Sequence, residues 1–209
     1  MIGFWNGSVY LTYAGLLSAV FGIFLSFEGK ILPAFFCLLF CGLCDMFDGK
    51  IARAMKRNDD EKLFGIQIDS LCDLICFGVL PAMLCWNIGV AGIVGKIILM
   101  FFVLFGQVRL AYFNVMEAKR QQVETGNRKF YQGVPITSSA VYLPLVYLFK
   151  PLCGDAFKYV LTVAMGLLAV LFVANIKVPK PGKIGGIILI AIGAAAVILF
   201  IVFAAMGIL

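Results

Sequence analysis

The chain has 209 residues, of which 63% are hydrophobic, and it carries a formal net charge of +6. A soluble domain of this length could not bury so much apolar surface, so the composition excludes an ordinary soluble fold and indicates a polytopic membrane protein. The positive charge lies on short loops between apolar runs, where membrane topology and anionic lipid account for it, and we expect no nucleic-acid partner.

Apolar runs close to the roughly 20 residues that cross a bilayer follow one another along the chain. They cover residues 9–27, 31–47, 66–86, 89–114, 134–150, 158–175 and 184–208. We predict an all-α membrane bundle with six core transmembrane helices plus a seventh. No repeat or linker divides these spans, so we expect a single domain over residues 1–209.

The basic residues mark one side of the bundle. Of the 17 lysines and arginines, 12 lie in the stretches 50–62, 117–132 and 176–183, which connect alternate pairs of spans. Because cytosolic loops carry the excess of Lys and Arg, these three stretches are predicted to be cytosolic. Seven spans then place the amino terminus inside.

Two pairs of acids lie within the apolar runs. Asp45 and Asp48 stand near the end of the second span, and Asp69 and Asp73 stand near the start of the third. An ionised side chain inside a span costs roughly 2.5–3.5 kcal/mol, so such residues need partners. The spacings i,i+3 and i,i+4 put each pair on one helix face, and the short connection predicts antiparallel neighbours. Four carboxylates are therefore expected to converge at the cytosolic level.

Carboxylates packed this closely need neutralising charge, and the sequence offers only Arg53 on the same face. One or two bound divalent ions meet that need, and all-oxygen ligation favours Mg²⁺ or Mn²⁺. Small residues stand close to the acids at Gly49, Ala52 and Gly65. Because they have no side chain or only a methyl group, a phosphorylated ligand could approach the backbone there. Close helix packing is the other explanation of these small residues.

The acids and small residues together form a pattern: Asp45, Asp48, Gly49, Ala52, Arg53, Gly65, Asp69 and Asp73. This pattern resembles the signature of the CDP-alcohol phosphotransferases, which are integral membrane enzymes of phospholipid synthesis. In addition to this signature, the stretches "IDSLCDLICFGVLPA" (68–82), "RLAYFNV" (109–115), "GVPITSSA" (133–140) and "NIKVP" (175–179) resemble the bacterial and archaeal phosphatidylserine synthase branch. The sequence departs from the family's pattern in two places. The 11 residues between Arg53 and Gly65 exceed the usual spacing. In the first span, relatives tend to have a T-x-x-N pattern, and here Thr12 is present but Gly15 stands at the position of the Asn.

The resemblance implies transfer of a phosphatidyl group from CDP-diacylglycerol to L-serine, with release of CMP. Asp45, Asp48 and Asp69 would hold the metal that bridges the diphosphate, and Asp73 would complete the metal set and act as general base. Asp69 and Asp73 are thus the expected catalytic residues. The resemblance also implies the plasma or inner membrane of a prokaryote, contact with membrane lipid, and a homodimer, for which the last span offers small residues at Gly185, Gly186, Gly193 and 194–196.

Two further residues are candidates for binding the acceptor or a phosphate. Arg109 follows an uncharged stretch from Ile97 to Val108, so it needs an anion or water. We expect it to bind the serine carboxylate or a substrate phosphate, the alternative being a lipid-headgroup anchor. Ser70 could touch serine, whereas a hydroxyl that bonds back to its own helix is the default.

Three alternatives stay open on the sequence. Sister branches use other acceptors, among them glycerol 3-phosphate, inositol phosphate and choline-type alcohols. The donor could be an archaeal lipid. A protein of another class, an ion or metal transporter, also places charges inside helices, although usually near the bilayer midplane.

Overall fold

The computed structural model describes residues 3–5, 7, 9–123, 130–179, 194–195, 197–203 and 205–207. Between Tyr10 and Val173 the described residues form the helices α1 (Tyr10–Phe27), α2 (Ile31–Ala54), α3 (Asp59–Leu74), α4 (Leu80–Ile88), α5 (Gly92–Val123), α6 (Ser139–Tyr147), α7 (Lys150–Cys153) and α8 (Phe157–Val173). A π-helical turn, Ile75–Val79, joins α3 to α4, and 3₁₀ turns at Ile136–Ser138 and Gly154–Ala156 precede α6 and α8.

Five helical stretches in the described residues are long and apolar enough to cross a membrane: Tyr10–Phe27, Ile31–Ala54, Asp59–Ile88, Gly92–Arg120 and Lys150–Val173. The expected helical membrane bundle is therefore confirmed. The span predicted at 134–150 corresponds to a shorter apolar helix, Ile136–Tyr147, which contains Pro144 and stops before a separate α7. The helix continues past Pro144 to Tyr147, and the break comes just before Pro151 in the first turn of α7. Pro151 has no N–H to donate to the Tyr147 carbonyl, as a continuous helix would require.

About half of the seventh predicted span, 184–208, lies outside the described residues. Residues 194–195, 197–203 and 205 within it are helical. Phe200 is fully buried, and its ring lies 5.3 Å from that of Phe35 on α2, with Tyr147 of α6 packed against both. This described part of the last span thus joins the apolar core. The small residues proposed for a dimer contact lie outside the description, apart from Ala194 and Ala195.

The second and third helices extend further toward the turn between them than hydropathy predicted. The second continues to Ala54 and the third begins at Asp59, because hydrogen bonding continues after the apolar run has ended. Asn58 caps α3 reciprocally: its side chain accepts from the Glu61 N–H at 2.8 Å, and its own N–H donates to Glu61 Oε2 at 2.9 Å. The acids of "NDDE" thus form the first turn of α3, where negative charge suits the helix dipole.

Close helix contacts set the positions of the long helices. The first helix packs along α2 through glycines: a Cβ at Gly22 would lie 2.8 Å from Cys37 Cβ. The fifth helix packs along α8, with the rings of Phe102 and Phe172 centred 5.2 Å apart. Small residues at such crossings let helices approach closely inside a membrane.

One element lies outside the all-helical expectation. Strand β1 (Phe130–Gln132) pairs antiparallel with β2 (Lys177–Pro179), so a short ribbon joins the segment before α6 to the segment after α8. The connection continues beyond the ribbon, because Gly133 N donates to Ile176 O at 2.9 Å and Val134 N donates to Leu171 O at 3.1 Å. The ribbon therefore holds the end of α8 beside the loop that leads into α6.

Candidate metal centre and substrate site

Three of the four predicted acids meet in one cluster. One carboxylate oxygen from each of Asp45, Asp48 and Asp69 lies within 4.8 Å of the others. Asp45 stands nine residues before the end of α2 and Asp69 ten residues after the start of α3, so a four-residue connection returns the chain to the same level. Helical spacing and a tight turn are therefore enough to bring the two helices' acids together.

The fourth acid, Asp73, stands one helical turn further along α3, outside that cluster. Its carboxylate is near enough to interact electrostatically with the three clustered acids and with Arg109 of α5. Arg109 is 8% exposed, and its guanidinium carbon lies 5.7 Å from the centre of the Phe113 ring. Asp73 is thus close to both the carboxylate cluster and a buried cation.

The first helix contributes a direct hydrogen bond to the cluster. Thr12 Oγ1 donates to Asp48 Oδ2 at 3.0 Å, and both side chains are buried. One turn later, Cys41 Sγ donates to the Gly15 carbonyl, and a Cβ at Gly15 would lie 3.3 Å from Cys44 Cβ. Gly15, at the last position of the T-x-x-N pattern, therefore lets α1 approach α2 closely. This approach brings the Thr12 hydroxyl within hydrogen-bond distance of Asp48.

Guanidinium groups cover both signature glycines. A Cβ at Gly49 would lie 3.6 Å from Arg53 Nη1, and a Cβ at Gly65 would lie 3.1 Å from Arg57 Nη1. Sequence reasoning had assigned only Arg53 to the site. Arg57 reaches it because α2 ends at Ala54, which places Arg57 in the turn before α3. Ala52, the remaining small signature residue, is half-buried.

A pocket of about 260 Å³ opens beside Arg109. Residues of α5, α8 and the segment after α8 line it: Val108, Arg109, Tyr112, Phe172, Val173, Ala174 and Asn175. Two stretches that looked separate in the sequence, "RLAYFNV" and "NIKVP", therefore form one concave surface. Asn175 adds an amide to its wall, and sequence reasoning had not assigned that residue a role.

Ser70 forms a bond between helices. Its Oγ accepts from Asn114 Nδ2 of α5 at 2.7 Å. Asn114 belongs to the same "RLAYFNV" stretch as Arg109, so this hydrogen bond ties the face of α3 that carries the acids to the helix that carries the cation. Nothing in the sequence alone pointed to Asn114, because the pairing spans 44 residues.

Nearly the whole chain matches a known protein family. Residues 5–209 match the sequence model of the family described as CDP-alcohol phosphatidyltransferase. The chain belongs to that family. This membership confirms the resemblance read from the signature and favours the enzyme over the transporter that the buried charges alone had left open.

Relatives in the CDP-alcohol phosphatidyltransferase family carry related names. The chain is 42% identical to a CDP-diacylglycerol–serine O-phosphatidyltransferase of Saccharomyces cerevisiae over 116 residues, which are 54% of this chain and 40% of that protein. It is 31% identical to the enzyme of that name from Helicobacter pylori over 179 residues, covering 83% of this chain and 71% of the relative. An archaetidylserine synthase of Methanothermobacter thermautotrophicus is 34% identical over 175 residues, 80% of this chain and 67% of that protein.

The cluster fits the metal dependence of the CDP-alcohol phosphatidyltransferase family. Ligands of one Mg²⁺ lie about 2.0–2.1 Å from it, so its oxygen ligands stand roughly 3–4 Å apart. Three carboxylates whose oxygens already lie within 4.8 Å of one another need only small side-chain rotations to reach that spacing. All three donors are oxygen atoms, the ligands that hard divalent cations prefer.

Proposed function

We propose that this protein transfers the phosphatidyl group of CDP-diacylglycerol to the hydroxyl of L-serine and releases CMP. The observation that carries the proposal is the clustering of Asp45, Asp48 and Asp69 beside Asp73 and Arg109, in a chain whose relatives bear the serine-transferase name. A diphosphate needs divalent charge, and a free amino acid needs a cation for its carboxylate. Both requirements are met within this one group of side chains.

The clustered acids are assigned to the donor. Asp45, Asp48 and Asp69, with Asp73, would hold one or two Mg²⁺ or Mn²⁺ ions, which when bound supply positive charge that stabilises the diphosphate oxygens and the departing CMP. Thr12 holds the Asp48 carboxylate in place through its hydrogen bond. The small signature residues beside the cluster leave space for the diphosphate.

The guanidinium groups over the signature glycines suit the diphosphate as well. Arg53 is exposed and Arg57 is half-buried, and both lie against the backbone of a signature glycine. Each can donate paired N–H groups to phosphate oxygens, a geometry that arginine offers and lysine does not. We therefore assign Gly49, Ala52, Arg53 and Gly65 to the donor site, with Arg57 added by the structure.

Asp73 and Arg109 are assigned to the acceptor. Arg109 would bind the serine carboxylate, with the pocket beside it holding the rest of the amino acid. Asp73 would take the proton of the serine hydroxyl as the oxygen attacks phosphorus. A new O–P bond then forms, the P–O bond to CMP breaks, and CMP leaves with that electron pair. Ser70, held by Asn114 next to Asp69, is the second acceptor-side candidate.

The basic connections support a site at the cytosolic face with the amino terminus inside, and we assign the protein to the inner or plasma membrane of a prokaryote. Both soluble compounds, serine and CMP, are then exchanged with the cytosol. The homodimer implied by the family resemblance stays a prediction. An archaeal lipid donor is a second candidate, favoured by the 34% identity to an archaetidylserine synthase.

One assay tests the proposal directly. Purified protein in detergent receives CDP-diacylglycerol, Mn²⁺ or Mg²⁺, and one alcohol at a time, namely serine, glycerol 3-phosphate, inositol phosphate or choline, and CMP release is measured. We expect release with serine to exceed that with every other alcohol, and EDTA to abolish it until metal is restored. A faster reaction with a phosphorylated acceptor would overturn the serine assignment.

Substitutions test the acids separately. Asp→Asn at position 45, 48, 69 or 73 removes a charged ligand or the base, so each variant should lose turnover by a factor of roughly 100 or more. Asp155→Asn is the matched control, since Asp155 is exposed and lies in the 3₁₀ turn before α8. Activity above a tenth of the parent's in any of the four variants would remove that residue from the site.

A further inference from the structure

The helix that carries Asp73 changes its hydrogen-bond pattern just after that residue. The π-helical turn Ile75–Val79 starts two residues later, and Leu80 N donates to Ile75 O, five residues back. Pro81 has no N–H, so it cannot donate to the Phe77 carbonyl as an α-helix would require. π-helical turns of this kind occur mostly as single turns within α-helices, frequently at functional sites.

A residue from a distant part of the chain bonds to that carbonyl. Ser139 Oγ donates to Phe77 O at 2.9 Å, across 62 residues of sequence. Ser139 is 0% exposed and Phe77 is 1% exposed. The bond is therefore shielded from bulk solvent, and loss of the hydroxyl would leave the Phe77 carbonyl without this donor.

The same segment contacts the helix that carries Arg109. We call Ile136–Ser139 the wedge. A Cβ at Gly106 of α5 would lie 2.6 Å from Ile136 Cδ1, and a Cβ at Gly78 in the π turn would lie 3.8 Å from the same atom. Ile136 therefore sits directly on two glycines, one in the π turn and the other three residues before Arg109.

We propose that Ser139 is a positioning residue for the transfer reaction: through Phe77 it holds the π turn and so sets Asp73 relative to Arg109. The proposal rests on the proposed function, in which those two groups bind and activate the acceptor. The wedge contacts both supporting elements within one turn or so of the two side chains. A displacement on the order of 1 Å at a reacting group can cost about a hundredfold in rate.

A purely structural role predicts a different result. If Ser139 only stabilised the fold, its loss would lower the fraction of folded enzyme, and the rate per total protein would fall. The concentrations of serine and Mn²⁺ at half-saturation would not change, because the molecules that remain folded would have an unaltered site. A positioning role moves those two constants.

The experiment compares Ser139→Ala with Ser138→Ala. The two variants lose the same hydroxyl at adjacent positions, but Ser138 Oγ has no hydrogen-bond partner among the described residues. Four quantities are measured in detergent: kcat, the serine KM, Mn²⁺ binding by electron paramagnetic resonance titration, and the melting temperature. For Ser139→Ala we expect kcat to fall roughly 10-fold to 100-fold and both half-saturation constants to rise about fivefold or more. Ser138→Ala should leave kcat, the serine KM and Mn²⁺ binding within about twofold of the parent, with a melting temperature close to the parent's.

Ile136→Val keeps the test decisive if Ser139→Ala does not fold. It deletes only Cδ1, the atom seated over both glycines, at a cost of about 0.5–1.5 kcal/mol in stability. Like Ser139→Ala, it should raise the serine KM and weaken Mn²⁺ binding, each by about twofold or more. An unchanged serine KM and unchanged Mn²⁺ binding in a folded Ser139→Ala variant would overturn the proposal. If that variant does not fold, the same result in Ile136→Val would overturn it. Changes in Ser138→Ala as large as those in Ser139→Ala would overturn it too. A parent enzyme without serine-dependent CMP release would instead contradict the proposed function.

Discussion

Replacing Gly133 by alanine should disturb both the ribbon and the pocket beside Arg109. Gly133 has φ +73°, and a Cβ there would lie 2.7 Å from Phe172 O and 3.4 Å from Leu171 O and Ala174 O. Close C···O contacts in proteins lie at about 3.3–3.6 Å, so the added methyl would overlap a backbone carbonyl by about 0.6 Å. A backbone atom cannot rotate away as a side chain can, so the end of α8 must move.

Gly29 offers a matched control. It has φ +76°, nearly the same backbone conformation, but an added Cβ would meet no atom within 4 Å. Both substitutions place an L-residue in the left-handed region, at about 1–2 kcal/mol each. Only Gly133→Ala also strains the hydrogen bonds from Gly133 to Ile176 and from Val134 to Leu171, each contributing about 0.5–1.5 kcal/mol. We expect totals of about 1–2 kcal/mol for Gly29→Ala and about 2–5 kcal/mol for Gly133→Ala.

Thermal unfolding of the purified variants measures the difference. At roughly 2–4 °C per kcal/mol for a chain of this size, Gly133→Ala should melt several degrees below Gly29→Ala. At temperatures where both are folded, only Gly133→Ala should raise the serine KM, because Phe172 and Ala174 line the pocket that contains Arg109. Equal melting temperatures, or an unchanged KM, would refute this account of the backbone contact.

Two further substitutions test the hydrogen bonds that reach the acids. Thr12→Val keeps the shape of the side chain but removes the donor to Asp48, and a hydrogen bond to a charged group contributes about 1.5–3 kcal/mol. We therefore expect Mn²⁺ binding, measured by titration, to weaken roughly tenfold or more. Unchanged Mn²⁺ binding would contradict this expectation. Ser70→Ala removes the oxygen that accepts the hydrogen bond from the Asn114 amide, so it should lower the melting temperature by a few degrees. A rise in the serine KM without a loss of stability would instead indicate that Ser70 contacts the substrate serine directly.

Local geometry explains why the acids were predictable. Asp45 and Asp48 share one helix face by their spacing, Asp69 and Asp73 share another, and a short polar stretch between two apolar runs returns the chain alongside itself. These relations depend on helical periodicity alone. The structure places three of the acids in one cluster and leaves Asp73 one turn away, a distinction that spacing does not make.

Other parts of the site depend on contacts between distant segments. The bond from Thr12 to Asp48 requires the crossing of two helices at Gly15, and hydropathy carries no information about where helices cross. The π turn was equally hidden, since Pro81 hints at a lost hydrogen bond but not at the pairing that replaces it. Arg57 reaches the site because of the exact residue at which α2 ends, and the apolar run ended earlier.

The hydrogen bond from Thr12 to Asp48 bears on biosynthesis. Both residues belong to the first helical hairpin, so one of the costly acids has a polar partner before the ribosome has made Asp69 or Asp73. A hairpin that partly satisfies its own carboxylate enters the bilayer at a lower free-energy cost than one that exposes it to lipid. We therefore expect the Thr12 hydroxyl, which bonds to Asp48 in the folded protein, to ease membrane insertion of the nascent chain as well.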